Sequence, residues 1–228
     1  MSEISPEELS KILKEHKRWC ENEDEGEKAN LSGANLKEAN LFDSILNEAN
    51  LSNANLSRAN LSDADLSGAE LYEANLRGVD LSDAILEDAI LSDADLSGAN
   101  LSRANLYKAN LSGAFLSRAN LNGVGLYKAD LNGANLSRAD LTHAYLSAAD
   151  LRYADLGCAD LEGADLYSAN LRDANLTQVK NLSIKQLSEV RTLYKAKLDP
   201  ELMEQVRKKY PHLLKKPEDY EEEEEDEE

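Results

Sequence analysis

Leucine stands at every fifth position from Leu31 to Leu176, thirty times without an insertion or an omission. That period belongs to neither common regular structure. Five residues advance about 500° around an α-helix, which would scatter the leucines over the whole cylinder. In one continuous strand an odd spacing sends successive leucines to opposite faces. So long and unbroken a repeat decides the architecture before any other feature of the chain.

Two residues before each leucine stands alanine, with Ser44, Val79 and Val124 as the exceptions, and the residue just before each leucine is mostly Asn or Asp. Within one unit the Ala and the Leu share a face, and the residue between them points away. For thirty leucines to reach one interior, the chain must turn a corner between units and wind as a coil. Gly33, Gly68, Gly78, Gly98, Gly113, Gly123, Gly133 and Gly163 all lie two residues after a leucine, which places the corners there. Before the leucines, Ile45, Ile85, Ile90, Phe115, Gly125 and Tyr145 depart into apolar residues or glycine, and residues 45, 85, 125 and 145 differ by multiples of twenty. Arg118 with Arg138, Lys108 with Lys128, and Tyr107 with Tyr127 repeat the same spacing. Four units closing one turn would stack these side chains on successive coils, so the expected fold is an all-β solenoid.

The unit A-(N/D)-L-x-x, in thirty tandem copies from about Ala29 to Leu176, resembles the pentapeptide-repeat family. The resemblance implies a right-handed quadrilateral β-helix with the leucines and alanines stacked inside. Spread over coils of 20 residues, the repeats make about 7.5 turns. At the usual inter-strand spacing this is a rod roughly 36 Å long.

The expected organisation has four parts. Residues 1–28 form an amphipathic capping helix and an acidic linker, 29–180 the β-helix, 181–217 a helical cap, and 218–228 a disordered acidic tail. Ser5, Pro6 and Glu8 read as a helix start, with Ile4 and Leu9 as a hydrophobic staple, and Leu9, Ile12, Leu13 and Trp19 continue at helical spacing. That stripe should cover the open end of the first coil, since exposed terminal rungs invite association. After Leu176 the register breaks. A short helix is expected from about Ser183, and a second after Asp199 and Pro200, ended by Pro211. Residues 181–217 hold nine basic and four acidic side chains, followed by the like-charge run EDYEEEEEDEE.

Charge and composition narrow the function. A net charge of −19 argues against direct nucleic-acid binding. The lack of a long apolar run or signal peptide predicts a cytoplasmic protein with no membrane contact. Two cysteines, Cys20 and Cys158, one in each region, do not suggest a disulfide framework, so reduced thiols are expected. His16, His143 and His212 lack metal-ligand spacing with the cysteines and read as surface residues. Asp43, Asp63 and Asp83 fall into one column, where carboxylates one coil apart would attract a cation or, more simply, splay into solvent. With no nucleophile–base pair, phosphate loop or catalytic carboxylate pair, the expectation is no enzyme activity, no catalytic residue, no cofactor and no metal.

Function is then expected from the outer walls: a non-enzymatic protein-binding or scaffold module with an unidentified protein partner. The candidate surface is Ile85, Tyr107, Lys108, Tyr127, Lys128, Tyr145 and Tyr167, an aromatic and partly charged strip of the kind enriched at interfaces. The competing reading is a stack that only stabilises the ladder. From the family resemblance comes an alternative, a DNA-mimicking modulator of bacterial DNA gyrase (an inhibitor, or a protector against quinolones), either monomeric or dimerised through the C-terminal helices. The charge distribution departs from it: residues 41–100 sum to −10 but residues 101–140 to +3.

Overall fold

A computed structural model describes residues 2–24 and 26–217, with side chains from Ile4 onward; the expected tail, 218–228, lies outside the described residues. The corners are β-turns. From Ala34 to Ala174, the alanine-position N–H donates to the carbonyl of the leucine three residues before it, at 2.9–3.2 Å. All thirty residues two after a leucine, from Gly33 to Gln178, have positive φ. Only eight of them are glycine, the residue for which this conformation is free. At the other positions Asp, Arg, Lys and even Tyr153 (φ 59°) accept a left-handed backbone that costs roughly 1 kcal/mol apiece, because the hydrogen-bonded coil dictates it.

The turns wind the chain into a ladder in which each residue before a leucine pairs in parallel with the residue twenty further on, from Asn30 with Asn50 to Asp160 with Lys180. Around one such pair, Leu31 N–H donates to Asn50 O at 2.7 Å and Asn50 N–H to Ala29 O at 3.0 Å. Four walls result. The first carries Leu31, Leu51 and their successors, the second Leu36 and Leu56, the third Leu41 and Leu61, the fourth Leu46 and Leu66. The β character of this β-helix lies in single-residue bridges. Regular strands are only two residues long: β1 (Ser2–Glu3), β2 (Ala34–Asn35), β3 (Asn175–Leu176) and β4 (Lys197–Leu198).

The leucines converge as their spacing requires: none of the thirty is more than 3% exposed. Val79 and Val124 are buried with them, and Ser44 places a buried hydroxyl with no hydrogen-bond partner where alanine normally sits.

The Asn/Asp rule has an equally local cause. At all twenty-three repeats where Asn or Asp precedes the leucine, its Oδ1 accepts the N–H of the residue just after that leucine, at 2.9–3.4 Å. The side chain caps a turn N–H that the ladder leaves unpaired. A serine after the leucine often adds its hydroxyl to the same oxygen, as Ser112 does to Asn110 at 2.7 Å. Along a wall the amides also join coil to coil, for example Asn120 Nδ2 to Asn100 Oδ1 at 3.0 Å.

At the N-terminal end, α1 (Pro6–Cys20) begins with the Ser5 hydroxyl accepting Glu8 N–H at 3.1 Å. Ile4, Leu9, Ile12 and Leu13 pack against the leucine core, and β1 pairs in parallel with β2 on the first coil. At the other end, α2 (Ile184–Ser188) starts at a Ser183–Gln186 capping box, and α3 (Pro200–Lys209) follows Asp199, with Pro211 opening a short 3-10 turn. The Asp199 carboxylate leaves its own helix uncapped and instead accepts Gln178 N–H at 3.0–3.1 Å.

One expectation needs correcting: the winding does not end at residue 180, and the following segment is not helical throughout. After α2 it resumes, with Asn170 paired to Thr192 and β3 to β4, now offset by 22 residues. Leu193 and Ala196 repeat the turn, at 3.0 Å, and Lys195 takes the positive-φ position. The two extra residues are taken up by the short helix.

Candidate functional site

The fourth wall carries the whole expected surface. Its leucines are Leu46, Leu66, Leu86, Leu106, Leu126, Leu146 and Leu166. Just after them, Tyr107, Tyr127, Ser147 and Tyr167 form one column, shown by the hydrogen bonds from Lys108 to Tyr127, Lys128 to Ser147 and Ala148 to Tyr167. Just before them, Ile85, Asn105, Gly125, Tyr145 and Asp165 form the next, through successive bridges.

The tightest part is a group of four. The rings of Tyr107 and Tyr127 stack at 5.8 Å and 15°, and Lys108 and Lys128 reach over those rings at 5.0 and 5.1 Å. Coil spacing alone produces this, since side chains one turn apart are held at the inter-strand distance. Ile85, Tyr145 and Tyr167 stand on the same wall, and Tyr167 is separated from the stack by Ser147, whose hydroxyl donates to Asp165. Tyr145 and Tyr167 are 60% and 63% exposed, too open to contribute much to the fold.

The sequence reading missed what links these residues. Seven repeats lack the Asn/Asp cap, at Ile45, Glu70, Ile85, Ile90, Phe115, Gly125 and Tyr145, and four of the seven are on the fourth wall. Consequently the N–H groups of Glu87, Tyr127 and Ser147 have no acceptor among the described residues. The wall thus offers open main-chain donors beside exposed aromatic rings. The signal was visible as departures from Asn/Asp, but its meaning required knowing what the Asn/Asp side chains bind.

Other expected positions read differently in three dimensions. His16 is not a surface residue: it is fully buried, under α1, stacked on Trp19 at 5.6 Å. Its Nδ1 accepts Ala29 N–H at 3.0 Å. Burial holds the imidazole below its ordinary pKa, against a hydrogen bond to the Asn47 main chain that pulls the other way. Cys20 lies 3.7 Å from His16 Nε2 and donates to Asn47 Oδ1 at 3.1 Å, and burial pushes its thiol up. A neutral ring whose Nδ1 is an acceptor carries its proton on Nε2, so it presents no lone pair to the sulfur and cannot serve it as a base. The pair clips α1 to the coil and is not an activated nucleophile.

His143 and His212 are exposed. In the column of Asp43, Asp63 and Asp83 the next position is Arg103, whose guanidinium forks onto Asp83 and holds that carboxyl below the usual range. Opposite charge continues the column, and among the described residues no group of His, Cys, Asp or Glu is arranged to hold a metal ion. No described helix is long and apolar enough to cross a membrane.

The sequence profile described as pentapeptide repeats matches in eight copies, over residues 27–58, 44–83, 84–123, 119–152 and 144–180. Among solved structures, the chain is similar to HetL from the cyanobacterium Nostoc sp. strain PCC 7120, a pentapeptide repeat protein involved in heterocyst differentiation regulation. That match has 33% identity over 86% of this chain and 91% of HetL, with a TM-score of 0.42. A second pentapeptide repeat protein from Nostoc PCC 7120 is 30% identical over 56% of this chain and 79% of its own, with a TM-score of 0.36. QnrB1, a plasmid-mediated fluoroquinolone resistance protein, is 21% identical over 78% of this chain and 96% of its own, with a TM-score of 0.38. Comparison with curated protein sequences gives no match.

Proposed function

Because the chain belongs to the pentapeptide repeat family, we propose that it is a non-enzymatic binding rod of about 7.5 coils whose fourth wall engages a protein partner. The observation that carries this reading is the coincidence, on one wall, of lost turn caps with exposed aromatic side chains. A wall that served only stability would keep Asn or Asp before each leucine, as the third wall does at every repeat from Asn40 to Asp160. Here Ile85, Gly125 and Tyr145 leave main-chain donors open, and Lys108 and Lys128 add charge over the Tyr107 and Tyr127 rings. A complementary partner surface presents carbonyl or carboxylate acceptors beside apolar groups.

The test compares proteins captured by the intact chain, by Tyr107→Ser/Tyr127→Ser, and by a third-wall control, Ser82→Lys. A partner lost only with the tyrosines supports the reading. One retained by the tyrosine variant, or lost equally with the control, overturns it. The gyrase alternative calls for a continuous acidic wall, which Arg103, Lys108, Arg118, Lys128 and Arg138 interrupt; a supercoiling assay with neither inhibition nor quinolone protection at high protein excess removes it.

A further inference from the structure

On the second wall, two corners away from the tyrosines, the residues after the leucines are small: Ser97, Ser117, Ser137 and then Gly157. The wall is therefore recessed, and Arg118 and Arg138 border a groove of about 700 Å³. Both arginines are exposed, and neither makes an ion pair among the described residues. The register explains why. Arg58 and Arg103 each find an acid one coil earlier in their own columns, Glu38 and Asp83, whereas the position before Arg118 is Gly98 and the one after Arg138 is Cys158.

A second, independent observation comes from Ser117, which lines the same groove. Phe115 replaces the capping Asn/Asp, so Ser117 N–H has no acceptor among the described residues. Its hydroxyl, deprived of the usual Oδ1, reaches only Ser97 Oγ, at 3.5 Å. The nearby carboxylates are already engaged: Asp95 by Arg77 and the Ser97 N–H, Asp155 by the Gly157 N–H and Asn175 Nδ2. An open main-chain N–H, a hydroxyl held only by a long contact to Ser97, and two guanidiniums one coil apart with no ion-pair partner make a set of under-used donors, and residues 101–140 are the stretch of the repeats whose charge is +3.

We propose that the Ser117–Arg118–Arg138 groove binds a phosphoryl group, as free phosphate or as a phosphate monoester. A tetrahedral oxyanion accepts from donors that arrive in several directions, and guanidinium forks match its oxygen pairs. A planar carboxylate would use fewer of them.

The test is an amide NMR titration of the full chain at constant ionic strength, with inorganic phosphate and with a phosphoserine peptide as probes. Saturable movement of the Ser117 resonance is expected, with the half-saturation point raised about tenfold or more in Arg118→Ala/Arg138→Ala. Phe115→Asn restores the missing acceptor, so it should weaken binding several-fold without lowering the melting temperature. Tighter binding of the peptide assigns a phosphorylated ligand, and binding of inorganic phosphate alone assigns the free anion. A Ser117 amide that moves with neither probe, or affinity unchanged in the arginine variant with its fold intact, overturns the proposal.

Discussion

The third and fourth walls share one interior and differ almost completely outside. Both stack leucines that are fully buried, and both turn their corners with the same left-handed residue. On the third wall, each residue before a leucine is Asn or Asp and each closes its turn; on the fourth, only Asp65, Asn105 and Asp165 do. The comparison teaches that the core sets no demand on the outer column. A missing cap costs one exposed hydrogen bond, which a coil of buried leucines tolerates, so the outer columns are free to serve recognition.

The largest effects should be the same on both walls. Leu101→Ala on the third and Leu106→Ala on the fourth should each lower stability by about 2–5 kcal/mol, read from denaturant melts. A much smaller loss at Leu106 would show that the open wall is loosely packed, and would break the comparison at its root.

The caps should separate the walls. Asn100 accepts from Ser102 N–H at 3.2 Å and from Asn120, and donates to Asp80 at 2.9 Å. Asn100→Ala should therefore cost about 1–2 kcal/mol. Tyr145→Asn should do the opposite, gaining about 0.5–1 kcal/mol by giving Ser147 N–H an acceptor, while weakening capture of the partner proposed for the fourth wall. Stability that falls in Tyr145→Asn would mean that the exposed ring supports the fold.

The smallest effect sits on the corner between the two walls. The Arg103 guanidinium lowers the Asp83 pKa, so the pair's stabilisation is present above the ordinary carboxylate range and is lost as pH falls through the lower folded value. The group is exposed and screened, so the change in stability should be slight. The sharper measurement is the Asp83 carboxyl titration by NMR, which should move up toward its ordinary value in Arg103→Gln.

Much of this was legible in the residues. The five-residue leucine period required a coil, the glycines located its corners, and coincidences such as Tyr107 with Tyr127 pointed to twenty residues per turn. The partner-binding candidates were found together because columns follow from that arithmetic. His16 was misread although it stands at helical spacing between Ile12, Leu13 and Trp19, on the stripe expected to cover the first coil, because a polar ring in that stripe reads as a surface group until its hydrogen-bond partner on the coil is known. The resumed turn at Leu193 was missed for a different reason: two extra residues hide the period, and only the pairing of Asn170 with Thr192 restores it.

Taken alone, the sequence determined the interior, because a side chain that must leave water every fifth residue admits one winding. Only the tertiary structure decided which outer groups are satisfied. A turn N–H, an arginine or a buried imidazole has its partner one coil away or on another element, so its state is set by register and folding back, not by the residues beside it. That is why the uncapped donors of the fourth wall and the unpaired arginines of the second became visible only once the coils were stacked.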